Sequence, residues 1–112
     1  MKNMLDTFTA VNLVDRNGNP SGGSVHGMGL TIEWQNGPLG RPPERMEPNG
    51  AFVETVLAAA LQRIQFYQQA SEGKFACAEN ARAVTYIQYA LDELNIRTKY
   101  MEARSVEGSH QK

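Results

Sequence analysis

The run Asn80-Ala-Arg-Ala-Val84-Thr-Tyr-Ile87-Gln-Tyr-Ala-Leu91-Asp-Glu-Leu94-Asn-Ile-Arg-Thr98 decides the fold. Taken back to Cys77 and on to Met101, its seam reads Cys77, Asn80, Val84, Ile87, Leu91, Leu94, Thr98, Met101, alternating steps of three and four as in a coiled-coil hairpin. The spacing predicts a long helix from about Phe75 to about Arg104. A second line, Tyr86, Tyr89, Ile96 and Tyr100, lies on other faces, and one partner helix cannot cover both sets. In a chain of 112 residues the economical cover is a copy of the same hairpin, so a homo-oligomer built through the helices is expected.

Upstream, Ser71-Glu72-Gly73 reads as a short helix–helix connection. Before it, Val53, Leu57, Ala60, Ile64 and Tyr67 recur at helical spacing, with Asn49 placed to cap the helix. Across 51–70 only Glu54 and Arg63 are charged, so this helix too is expected to be covered on more than one side. Residues 36–50 hold four of the five prolines together with Arg41 and Arg45, which predicts a stiffened loop without helix or inner strand. Residues 7–35 carry strand signals. Thr7–Val14 is followed by a turn centred on Asn17-Gly18, and a returning strand is clearest at Leu30–Gln35, where Leu30, Ile32 and Trp34 alternate with polar residues. Gly22, Gly23, Gly27 and Gly29 in the middle suggest a bulge or a close backbone approach. Residues 105–112 have no periodicity and read as a polar tail. The fold expected is α+β: one domain, 1–112, with a small antiparallel sheet followed by a two-helix antiparallel hairpin over 51–104.

Composition excludes much. Eleven Lys+Arg against 12 Asp+Glu leave a net charge of −1, which gives no field to gather DNA or RNA polymers. One cysteine, Cys77, allows no internal disulfide and fits a reducing cytoplasm. No apolar run approaches the ~20 residues of a membrane span. With two histidines, His26 and His110, common metal and nucleophile–histidine chemistry lacks its parts, and neither catalytic residues, metal ligands nor cofactors are expected.

Three groups could carry a ligand. Asn80 either fixes the register of the seam or turns its amide, donor and acceptor both, toward a base edge or ribose. Arg97, Lys99 and Arg104 either complement the helix dipole or join Arg41 and Arg45 around phosphate oxygens. Trp34, Phe66, Tyr67 and Phe75 are either core residues or stacking platforms, Phe75 being the least easily buried. Cys77, on the seam, reads as a small buried residue rather than a nucleophile.

Certain runs, in order, resemble the first family of phage Thoeris anti-defence proteins. They are Trp34-Gln35-Asn36-Gly37-Pro38-Leu39-Gly40, Glu47-Pro48-Asn49-Gly50-Ala51-Phe52-Val53-Glu54, Phe66-Tyr67-Gln68, Cys77-x-Glu79-Asn80, Arg97-Thr98 and Glu102-x-Arg104-x-Val106-Glu107-Gly108. That resemblance implies a sponge, similar in its helical hairpin to the second anti-CBASS family, which binds a defence messenger without cutting it. The implied ligand is a glycocyclic ADP-ribose held between protomers of a dimer or hexamer, with CBASS cyclic di- or trinucleotides at separate sites in hexamers. By the matched positions, Asn80 would meet the adenine–ribose part, Arg97, Arg45 and Arg104 the pyrophosphate, and Phe75 or Phe66 the base. The sequence departs from the family pattern at Met101 and Ala78, where basic residues are usual. A cyclic-nucleotide hydrolase and an oligomeric adaptor are the alternatives.

Overall fold

A computed structural model describes residues 7–37, 39–40, 43 and 45–111, with side chains as far as Tyr100. The chain forms two compact units, Met1–Phe52 and Val53–Lys112. It has the expected α+β order: a three-stranded antiparallel sheet, then two helices.

The first unit is a meander of β1 (Phe8–Val14), β2 (Pro20–Gly27) and β3 (Leu30–Glu33) in the order β1-β2-β3. The β1–β2 turn forms where Asn17-Gly18 predicts it. Gly18 adopts φ +83°, and the Asp15 carboxylate accepts the Asn17 and Asn19 backbone N–H groups at 2.8 and 3.0 Å. The single returning strand expected from the sequence is instead two strands, because Met28-Gly29, with Gly29 at φ +71°, makes a second turn between β2 and β3. The register shifts between Asn12 and Val14 of β1, where β2 carries one extra residue between Pro20 and Gly23, at the glycines. Gly23 supplies the close approach: a Cβ there would collide with the Val11 carbonyl oxygen. Of the alternating face only Ile32 is buried, while Leu30 is exposed.

The loop after β3 has neither helix nor strand over its described residues, as its prolines require. Its two ends are pinned together. Trp34 and Ala51 form a parallel bridge, with Gln35 N–H donating to Ala51 O at 2.9 Å and Ala51 N–H to Glu33 O at 2.7 Å. Gln35 Oε1 accepts the N–H groups of Asn49 and Gly50 at 2.8 and 3.2 Å. Asn49 is not a helix cap. Its side chain accepts the Asn36 N–H at 2.8 Å and donates to Asn36 O at 3.0 Å, so it latches the loop before the helix begins at Val53.

The second unit pairs α1 (Val53–Gly73) with α2 (Ala78–Gln111). The α2 seam is as read from Asn80 to Thr98, where Asn80, Val84, Ile87, Leu91, Leu94 and Thr98 are half-buried; Cys77 is exposed ahead of the helix, and the side chain of Met101 lies outside the described residues. The α1 seam differs from the expected stripe. Half-buried positions fall at Glu54, Leu57, Leu61, Ile64 and Gln68, and Val53, Ala60 and Tyr67 are exposed. Polar side chains at both ends displace the purely apolar pattern by which the stripe was read. Thr98 Oγ1 donates to the Glu54 carboxylate at 3.3 Å at one end, and Gln68 bonds Cys77 at the other. These two polar layers fix an antiparallel register around the apolar middle. Helix α2 continues to Gln111, past the Arg104 boundary expected from the loss of apolar periodicity; no proline interrupts 78–111, and a formed helix extends residue by residue at little cost.

No helix among the described residues is long and apolar enough to cross a membrane.

Candidate functional site

Phe66, Tyr67, Ala70, Phe75 and Asn80 line an apolar cavity of about 460 Å³ at the connected end of the hairpin. That volume lies within the range of small-molecule sites, roughly 300–1,000 Å³. Four residues singled out by sequence, Phe66, Tyr67, Phe75 and Asn80, therefore meet in one place, three of them, Phe66, Phe75 and Asn80, being expected ligand residues.

Their positions follow from local chemistry. Phe66 and Tyr67 project from α1 beside each other, with ring centroids 6.2 Å apart and planes tilted by 53°. The Arg63 guanidinium lies one turn earlier, 5.2 Å from the Phe66 centroid and 5.0 Å from that of Tyr67, and its Nε–H donates to the Tyr67 hydroxyl at 3.2 Å. The cation thus braces both rings. Beyond Gln69 the regular helix stops. Ala70 turns to ψ 144°, and Ser71, Glu72 and Gly73 follow at φ +52°, +58° and +84°. Left-handed backbone costs an L-residue ~1–2 kcal/mol, so two non-glycine residues here store strain that the surroundings must hold. The chain then presents Phe75, 59% exposed, and enters α2.

Cys77 is exposed, not buried on the seam, because it stands at the N-cap of α2. Its Sγ accepts the Asn80 backbone N–H at 3.4 Å, and its carbonyl takes the first helical bond, from Ala81. Asn80 is half-buried at the cavity wall, and among the described residues its side-chain amide has no hydrogen-bond partner. An asparagine serving only to set register would bond across the seam. Here donor and acceptor are both open to solvent or to a molecule in the cavity.

The other site residues lie elsewhere. Arg97 is at the far end of the hairpin, where its Nη2 meets the Glu54 carboxylate at 3.5 Å. Asn80 and Arg97 are 17 residues apart on one continuous helix, a rise of about 25 Å. Arg45 is an exposed residue of the loop in the first unit. The side chain of Arg104, and Arg41 altogether, fall outside the described residues.

Tyr67 was read among the aromatics but not carried into the site, and Ala70 was missed. The signal for both is Phe66-Tyr67-x-x-Ala70, which at helical spacing puts small and aromatic residues around one end of the hairpin.

Over 82 residues, 73% of its length, the chain is 38% identical to a protein of Bacillus phage SBSphiJ7 named Thoeris anti-defense 1. The match covers 53% of that relative, so the chain spans about half the length of the protein it resembles. No family model matches.

Proposed function

The chain belongs to the phage Thoeris anti-defence family, and from that premise we propose that it opposes Thoeris immunity by binding a cyclic nucleotide messenger, a glycocyclic ADP-ribose, and withholding it uncleaved in the host cytoplasm. The observation that carries this reading is the unpartnered Asn80 amide on the wall of an aromatic cavity. Adenine matches both parts of it. Its flat face stacks on Phe75 or Phe66, and its edge offers an acceptor and a donor to one side-chain amide.

The pyrophosphate partner comes from a second copy of the chain. A ring-closed messenger cannot span the ~25 Å from Asn80 to Arg97 along one helix, so the two residues serve one ligand only if they come from different protomers. Antiparallel pairing of two α2 helices about a two-fold axis near Tyr89 puts Asn80 of one copy level with Arg97 of the other. Tyr86 and Tyr89, each 63% exposed in the single chain, lie at that level of α2 but on other faces than Asn80, which stands on the seam toward α1. CBASS cyclic oligonucleotides are further candidate ligands, at separate sites.

The test is calorimetry with glycocyclic ADP-ribose on the wild type and on Phe75→Ala. Phe75 is largely exposed, so its truncation leaves the melting temperature nearly unchanged. Loss of one stacked base, worth ~1–3 kcal/mol, weakens binding about 5- to 150-fold. Equal affinity in both proteins would remove the cavity from the account.

A further inference from the structure

We propose that Gln68 is the positioning residue of this cavity, acting through Cys77 on the two walls that flank it. The inference rests on the cavity being the messenger site. Gln68 is a half-buried residue in the last regular turn of α1. Its Oε1 accepts the Cys77 N–H at 2.9 Å, and its Nε2 donates to Cys77 O at 3.1 Å. One planar amide thus reads both polar groups of a residue nine positions later, as a neighbouring strand would. Among the described residues no other hydrogen bond joins α1 to the start of α2. The bonds inside the connection are local, from Lys74 N–H to Ser71 O and from Ala76 N–H to Gly73 O, both 3.1 Å.

The placement gives the clamp its effect. Phe66, Tyr67 and Ala70 bring one wall of the cavity from α1, and Phe75 and Asn80 bring the other from either side of Cys77. Between them runs the left-handed segment Ser71–Gly73, which gains by relaxing. Gln68 holds the second wall at its distance from the first against that tendency. Leucine or methionine makes neither bond, asparagine is one methylene short, and an ionised glutamate makes one bond and turns its other oxygen against the Cys77 carbonyl.

Glutamate supplies the test, since the protonated carboxyl again has a donor and an acceptor. In Gln68→Glu the facing Cys77 carbonyl disfavours the charged form while the Cys77 N–H and the N-terminus of α2 favour it, so the introduced carboxyl titrates in the ordinary carboxylate range, with a reference value of about 4.3. The clamp is intact below that pKa and broken above it. Two quantities are followed between about pH 8 and pH 3.5, each as a ratio to wild type at the same pH. One is the reaction rate of Cys77, the chain's one thiol, with 4,4′-dithiodipyridine in ligand-free protein. The other is the affinity for glycocyclic ADP-ribose. At pH 8 we expect Cys77 to react several-fold faster and the ligand to bind on the order of 10-fold more weakly. Toward about pH 3.5, as the introduced carboxyl is protonated, both ratios return toward one. Gln68→Met, matched in length, shows the pH 8 defects at every pH.

A thiol rate equal to wild type throughout overturns the clamp. A pH-dependent thiol rate with unchanged affinity overturns its role in the cavity. If the thiol rate responds as expected but wild-type protein binds no messenger, the clamp stands and the ligand assignment fails.

Discussion

Co-expressed Asn80→Ala and Arg97→Ala chains, assembled together, regain about one quarter of the wild-type messenger sites, although each variant alone binds about 10- to 100-fold more weakly. The single losses are those of a hydrogen bond to a polar group and of a charged hydrogen bond to phosphate, ~1–3 kcal/mol apiece. The recovery follows from geometry. Since α2 is one uninterrupted helix, no rearrangement within a chain brings residues 80 and 97 together. In a two-fold pair, each site takes Asn80 from one copy and Arg97 from the other. Random assembly makes half the dimers mixed, and a mixed dimer has one site with both residues and one with neither. Sites formed inside single chains would show no recovery at any mixing ratio. Differently tagged chains, purified through both tags and titrated with ligand, would raise the recovered fraction to one half.

Replacing Gly50 by alanine disrupts the first unit while leaving the helices intact. A Cβ on Gly50 would lie 2.5 Å from the Trp34 carbonyl carbon and oxygen and 2.7 Å from the Gln35 nitrogen. All three are backbone atoms. They belong to the bridge in which Gln35 N–H donates to Ala51 O and Ala51 N–H to Glu33 O, so relief requires parting the two ends of the loop. The expected cost is about 3 kcal/mol, which lowers the melting temperature of a unit this size by more than about 10 °C. Trp34 is the chain's one tryptophan and sits at the collision, so its fluorescence reports the first unit alone. Far-ultraviolet circular dichroism follows the helices, whose transition should hardly move. An unchanged Trp34 transition would show that the loop ends are not joined through Gly50.

The sequence was most legible where one residue type has one physical use. Asn17-Gly18 forms the turn it signals because Gly18 takes the positive φ the turn requires, and the α2 seam follows its three-and-four spacing from Asn80 to Thr98. Legibility failed where a side chain bonds main chain at a distance. Gln68 carries no signal in sequence and Asn49 reads as a helix cap, yet each holds a backbone segment nine or thirteen residues away. Such bonds have no period. Cys77 was misplaced for a related reason: extending the seam by one step ignored that the helix had not yet started and that sulfur can cap it. The second turn, at Met28-Gly29, was hidden among four glycines that dilute the signal of any one of them. For the site, the aromatic and Asn80 components were legible as types, but the separation of Asn80 from Arg97 emerges only when the helix is laid out in space. That separation turns a set of ligand residues into an argument for two chains.

The claim that the protein withholds its messenger intact is tested most directly by release. Wild-type protein is saturated with glycocyclic ADP-ribose, freed of unbound ligand, denatured by heat, and the released molecules are identified by mass spectrometry against the starting compound. The account predicts intact messenger in an amount that tracks the protein. Linear or hydrolysed product would contradict it in favour of an enzyme, and no released nucleotide would contradict it in favour of an adaptor.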